Sequence, residues 1–188
     1  VEYALYAYRG FDKQPLGADA QGRPSHLRRD SAGFSLRGPV LGGIASFETG
    51  REWSGADLSE VTARVPHKSA AMAAFEKEWR PKLTIGLQLY AERHDSEPGN
   101  ASPPNGESRR LVSLRITRQA LRDRLNLSAI VFHSPDQHDR WLRLTASHRL
   151  SDQWLLGASA NAFGGPVQRF FGQLEDDSNA GFWVRRQF

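Results

Sequence analysis

The chain has no cysteine, which excludes both a disulfide framework and a thiolate metal site. It has no run approaching the ~18 apolar residues of a membrane helix, so it does not cross a bilayer with helices. The mean hydropathy of -0.56 excludes little else. A membrane β-barrel shows one apolar residue in two and averages out as hydrophilic. A concentrated charge of one sign is also missing. The 25 basic and 21 acidic residues leave a net +4 spread along the chain, where a nucleic-acid binder would gather its cations in a patch. A recognisable signal segment is missing too. Val1 opens directly into VEYALYAY, already alternating, so a signal removed earlier or further chain upstream is expected. The 188 residues suit one domain over 1–188.

What is present is period two. In KLTIGLQLYAER, Leu83, Ile85, Leu87, Leu89 and Ala91 share one parity, and Lys82, Thr84, Gln88, Tyr90 and Glu92 share the other. A helix scatters both sets around its circumference; a strand separates them onto two faces. RLNLSAIVF, RWLRLTASHR, SRRLVSLRIT and QWLLGASANA repeat the pattern. Weaker versions occur in VEYALYAY, SAGFSLRG, GIASFETGREW and AAMAAFEKEW. The last has helical propensity, but its neighbours are strands and Arg80-Pro81 ends it. With the terminal GFWVRRQF, about ten strands are expected, each near the ~9–11 residues of a tilted membrane strand.

The connections alternate in length. GPVLGG, RPK, ALRD and LSDQ are short. FDKQPLGADAQGRPSHLRRD, SGADLSEVTARVPH, HDSEPGNASPPNGE and GGPVQRFFGQLEDDSN are long, with a shorter SPDQHD among them. That arrangement puts tight turns at one end and long loops at the other, as in barrels with short periplasmic turns and long extracellular loops.

The two faces differ in a way that separates a membrane barrel from a soluble one. The polar parity carries Arg115, Arg124, Arg143, Arg149, Arg185, Glu48, Glu76, Lys82 and Glu92, the expected lumen lining. The apolar parity is mostly Leu and Ala, and rows such as Ala158, Ala160 and Ala162 fill a soluble interior poorly. They can face lipid without cost. Tyr3, Trp79, Trp154 and Phe188 fall on the apolar parity at the short-turn end, and Trp53 at the long-loop end. These are the expected interface anchors. Trp141 falls on the polar parity and is expected in the lumen or at its rim. The expected fold is an all-β, antiparallel, up-and-down transmembrane β-barrel of the bacterial outer membrane; the alternative is a soluble antiparallel sandwich.

The ending, with Phe182, Val184 and Phe188 on one parity, resembles the terminal strand signal read by the outer-membrane assembly machinery. Arg186 departs from it. VEYALYAYRGF, RGPVLGG, FEKEWRPKLTIGLQLYAER, FHSPDQHDRWLR and FFGQLEDDSNA resemble an uncharacterised proteobacterial outer-membrane β-barrel (porin-like) protein family. The likeness spans most of the chain and is loosest over 55–70 and 94–108. Its members run longer at the N-terminus, which implies a C-terminal portion or a shortened relative. The resemblance implies no catalytic residue and no cofactor.

Three clusters carry possible chemistry. His133-Ser134 beside Asp136 and Asp139 has the residue types of a hydrolase site, and with His138 those of a metal site, but Ser-Pro-Asp is ordinary turn chemistry and no standard ligand spacing is present. Glu175, Asp176 and Asp177 after Phe170-Phe171 form a loop that folds inward, binds calcium or stays solvated. Lys13, Arg28 and Arg29 suit lipopolysaccharide phosphates or plain solvation. The leading expectation is a passive, porin-like channel for small solutes whose arginine wall favours anions. A non-conducting structural or loop-binding barrel is the alternative, and an outer-membrane lipid or peptide hydrolase the third. Expected partners are outer-membrane lipids, lipopolysaccharide and the assembly machinery; no metal, cofactor or nucleic acid is expected.

Overall fold

The computed structural model describes every residue except 14, 16, 19, 20, 22, 55–66, 96–107 and 188. The strands are β1 (Glu2–Phe11), β2 (Gly17–Ala18), β3 (Pro24–Ser25), β4 (Arg28–Val40), β5 (Gly43–Ser54), β6 (Lys68–Arg80), β7 (Leu83–His94), β8 (Ser108–Ala120), β9 (Leu125–Ser134), β10 (Asp139–Arg149), β11 (Trp154–Gly164) and β12 (Asn179–Arg186). A short 3₁₀ helix, Gly172–Asp177, is the one helix among the described residues. Ten strands form one up-and-down sheet in the order β1-β4-β5-β6-β7-β8-β9-β10-β11-β12, and β2 and β3 pair separately. The β1–β4, β8–β9, β9–β10, β10–β11 and β11–β12 ladders are all antiparallel.

The expected strands are thus present, including AAMAAFEKEW within β6. The β2–β3 pair inside the first long connection has no period-two signal, because two residues are too few to show one. The expected closure into a barrel is not seen. The sheet is open, with β1 and β12 as its edges and no ladder between them among the described residues.

Short turns are set by local backbone chemistry. Leu41 and Gly42 both have positive φ (50° and 74°), the primed geometry whose twist matches two antiparallel strands. Pro81 presets the first turn position and Lys82 takes the left-handed second (φ 65°). Leu121, Arg122 and Asp123 are all left-handed (φ 51°, 55° and 67°), an arrangement that costs non-glycine residues energy. Neighbouring bonds hold this turn: Lys82 Nζ meets Asp123 Oδ1 at 2.6 Å, and the Gln119 N–H donates to the Lys82 carbonyl at 2.9 Å.

The chain divides into two compact units. The first comprises 1–38, 46–73 and 90–109; the second comprises 39–45, 74–89 and 110–188. Neither has an apolar core of the usual kind. Leu27 and Phe171 are the buried hydrophobics among the described residues, while Leu5 is 79% exposed and Phe182 86%. In the second unit the register shows why. Arg118, Leu127, Ala146, Ala158 and Phe182 form one cross-strand row, and Ile116, Ala129, Leu144, Ala160 and Ala180 the next. They lie on one face of the sheet, where the alanines floor an apolar groove of about 700 Å³. The other face carries the polar parity.

Candidate functional site

In the second unit the polar face is organised in tiers. Arg115 and Arg143 both oppose Ile130, and Asn161 continues that tier. Arg149 and Arg185 both oppose Leu155 in another. Arg149 lies six positions after Arg143, roughly 20 Å along the strand. The arginines of the expected lumen lining thus fall in two tiers: Arg143 and Arg149 share β10, and the pairing of the neighbouring strands sets Arg115 beside the first and Arg185 beside the second. Arg124 lies in the turn before β9 rather than in a strand; its carbonyl accepts the Arg149 N–H at 2.7 Å. Among the described residues, Arg115, Arg124, Arg143, Arg149 and Arg185 have no carboxylate partner; Arg185 stacks over the Trp183 ring at 5.3 Å. The Trp183 ring covers Gly157, where an added Cβ would meet it at 2.1 Å.

Lys82 corrects a second expectation. It is in the β6–β7 turn, with its ammonium on Asp123 and its backbone N–H on Glu78 Oε1 at 2.6 Å, not on a strand face. Its left-handed turn position breaks the alternation that assigned it to the lumen. Glu76 does lie across Gly86, a polar-parity residue of β7. Glu48 is exposed on β5 with no ion-pair partner among the described residues.

The first unit has a different polar face, in which charges are matched. Arg29 meets Asp12 at 3.1 Å and also pairs with Glu52, so it is not a free phosphate anchor. Lys68 Nζ and the Tyr90 hydroxyl converge on Glu92 Oε2 at 3.0 and 2.6 Å. A cavity of about 550 Å³ opens beside these pairs, bordered by Tyr6, Tyr8, Gly33, Gly50, Glu52 and Tyr90. Sequence reading selected Glu92 and missed the tyrosines, although Tyr6, Tyr8 and Tyr90 share the polar parity.

At the long-loop end of the second unit, the structure gathers an aromatic cluster that sequence reading only touched through Trp141. Its ring stacks on Phe132 at 5.2 Å and on Phe163 at 5.7 Å. Phe171 tilts against Phe132 and Trp141 at 6.3 and 6.2 Å. The Trp141 Nε1–H donates to Asn161 Oδ1 at 3.3 Å. The segment 165–178 is thus docked on the polar face. The fully buried Asp139 fixes it by accepting the Phe171 N–H at 2.8 Å. Gly165 and Gly172 permit the fit: added Cβ atoms would meet the Asp139 Cβ at 2.6 Å and the Pro166 carbonyl oxygen at 2.0 Å. Glu175, Asp176 and Asp177 remain exposed. The readable signal was that Phe132, Trp141 and Phe163, at one end of three successive strands, all break the polar parity.

The hydrolase residues are not assembled. Consecutive residues of β9, His133 and Ser134, point to opposite faces. Ser134 is fully buried and its Oγ has no hydrogen-bond partner among the described residues. Asp136 is in the turn, where hydrogen bonds from Arg110 hold its carboxyl below the usual carboxylate range. No three His, Asp or Glu side chains among the described residues gather as metal ligands.

On the apolar parity, Tyr3 is 75% exposed, and Trp53, Trp79 and Trp154 are also exposed; Phe188 lies outside the described residues. Each tryptophan carries a cation over its ring: Arg51 over Trp53 at 5.8 Å, Lys77 over Trp79 at 5.2 Å and Arg186 over Trp154 at 5.6 Å. The first two pairs have i, i+2 spacing and were legible in the sequence; the third needs the β11–β12 register. No protein family, curated protein or solved structure matches this chain.

Proposed function

We propose that the chain forms the wall of a transmembrane β-barrel in the bacterial outer membrane and works as a porin-like passive channel favouring small anions. The observation that carries this reading is the inversion of the sheet: exposed Leu, Ala and Phe on one face, and arginines without carboxylate partners on the other. In water such an apolar face is a costly surface; against lipid tails it costs nothing. The ten sheet strands run from 8 to 13 residues, which brackets the ~9–11 of a tilted spanning strand. Tryptophan–cation pairs on the apolar parity suit the headgroup level, where the ring is amphipathic and the cation meets phosphate. In this reading the open β1 and β12 edges meet each other or further strands, and the terminal strand presents the assembly signal. Lipids and lipopolysaccharide surround the wall.

The matching test is planar-bilayer conductance of the full chain under a KCl gradient. The expected reversal potential has the sign of chloride preference. It moves toward zero in the variant combining Arg115→Ala, Arg143→Ala, Arg149→Ala and Arg185→Ala, because unpaired lumen charge sets ion preference. The docking of 165–178 on the polar face favours a second reading, a non-conducting barrel. An inserted protein that passes no current would select it.

A further inference from the structure

The matched polar face of the first unit holds more specific chemistry than a channel wall needs. We propose that its cavity is a binding site for a neutral, hydroxyl-rich solute of the sugar class. The cavity volume of about 550 Å³ is within the range of small-molecule sites. Gly33 and Gly50 form its floor; their α-carbons face each other across β4 and β5, so close that a Cβ on Gly33 would be 3.7 Å from the Gly50 Cα. Removing two side chains from the middle of a strand face leaves a depression one ring wide.

Tyrosines border that depression, and their hydroxyls are already tied. Tyr6 shares a hydrogen bond with Ser35 Oγ at 2.9 Å. Tyr8 donates to the Phe11 carbonyl at 3.0 Å, and Tyr90 donates to Glu92. Tied hydroxyls fix the rings and leave their faces to stack on the aliphatic C–H face of a pyranose.

The charges select against ions. Arg29 and Lys68 stand against Asp12, Glu52 and Glu92, and both cations are engaged. An anion would meet excess carboxylate, and a cation would meet carboxylates whose charge Arg29 and Lys68 already offset. Acceptor capacity nevertheless remains. Glu52 is the carboxylate that lines the cavity; Arg29 takes its Oε1 and leaves Oε2. Carboxylate oxygens beside fixed aromatic faces accept from sugar hydroxyls, and such charge-assisted bonds are the strong ones.

Isothermal titration of the detergent-solubilised full chain tests this without requiring insertion or conduction. The probes are D-glucose and maltose for a free sugar, and an uncharged O-antigen oligosaccharide for a surface glycan. Saturable heat with at least one probe is expected. Gly50→Leu fills the depression, since a Cβ there meets its nearest neighbour, the Ala32 carbonyl oxygen, at an ordinary 3.4 Å. Glu52→Gln keeps the shape and removes the charge-assisted acceptor. Each should weaken binding by about tenfold or more. Gly181→Ala, in open space on β12, should bind as the parent does. No saturable heat with any probe overturns the proposal. So does unchanged affinity in both Gly50→Leu and Glu52→Gln, the latter read alone if Gly50→Leu does not fold.

Discussion

Leu144→Arg is expected to destabilise the membrane-inserted protein by about 2–4 kcal/mol, whereas Thr145→Arg, one residue further on, stays within about 1 kcal/mol. Leu144 lies at the middle of β10, an 11-residue strand, in the row Ile116, Ala129, Leu144, Ala160 and Ala180. If that face meets lipid, this is the depth at which a guanidinium is most costly and farthest from any headgroup to which it can snorkel. Thr145 opposes Ser128 and Ser159 on the polar face, where an arginine joins a wall that already bears Arg143. Urea unfolding in phospholipid vesicles, followed by tryptophan fluorescence, reads both variants. A sandwich with its apolar face buried against protein would also reject Leu144→Arg. It would expose Thr145 to water and keep the fold in the absence of lipid, so the same pair measured without lipid separates the two architectures.

The second large effect concerns the docked segment. Phe171→Ala is expected to cost about 3–5 kcal/mol locally, the usual range for removing a buried aromatic ring. Phe171 is one of the two buried hydrophobics among the described residues and touches both Phe132 and Trp141. Its loss also leaves the buried Asp139 carboxylate against a loosened N–H donor. A buried polar group that loses its hydrogen-bond partner is poorly tolerated, so segment 165–178 should detach rather than settle into the gap. Limited proteolysis should then cut within 165–178 in the variant and not in the parent, and any current through the protein should rise. Resistance equal to the parent's would mean that the loop is held by something other than this cluster.

Face assignment was legible in the sequence because it is a local property. Leu83 to Ala91, or Trp154 to Ala162, needs only its own alternation to declare a strand and its two sides. Turn ends were legible for the same reason, through Pro81 and Gly42. Register was not legible. It puts Arg115 level with Arg143, Arg185 level with Arg149 and Arg186 over Trp154, and it depends on how each turn pairs its strands. Lys82 failed for a related reason: one left-handed residue at a turn removes it from the strand whose parity it shares. The docking of 165–178 depends on Gly165, Gly172 and Asp139 meeting across a long connection, and no periodicity encodes that. The tyrosine cavity lay between the two cases: the parity of Tyr6, Tyr8 and Tyr90 was readable, but their convergence on Gly33 and Gly50 was a matter of register.

If the apolar parity of this sheet faces lipid and the polar parity faces water, labels placed along one strand will report the two environments alternately. The absence of cysteine makes the direct test simple, since single cysteines can be placed in an unaltered background. Spin labels at successive positions from Leu142 to Ser147, in protein reconstituted into phospholipid vesicles, report collisions with dissolved oxygen and with a water-soluble nickel chelate. A period-two oscillation in opposite phase is expected: oxygen access peaking at 142, 144 and 146, and nickel access at 143, 145 and 147. Oxygen and nickel access rising and falling together, or nickel access peaking at 142, 144 and 146, would contradict it.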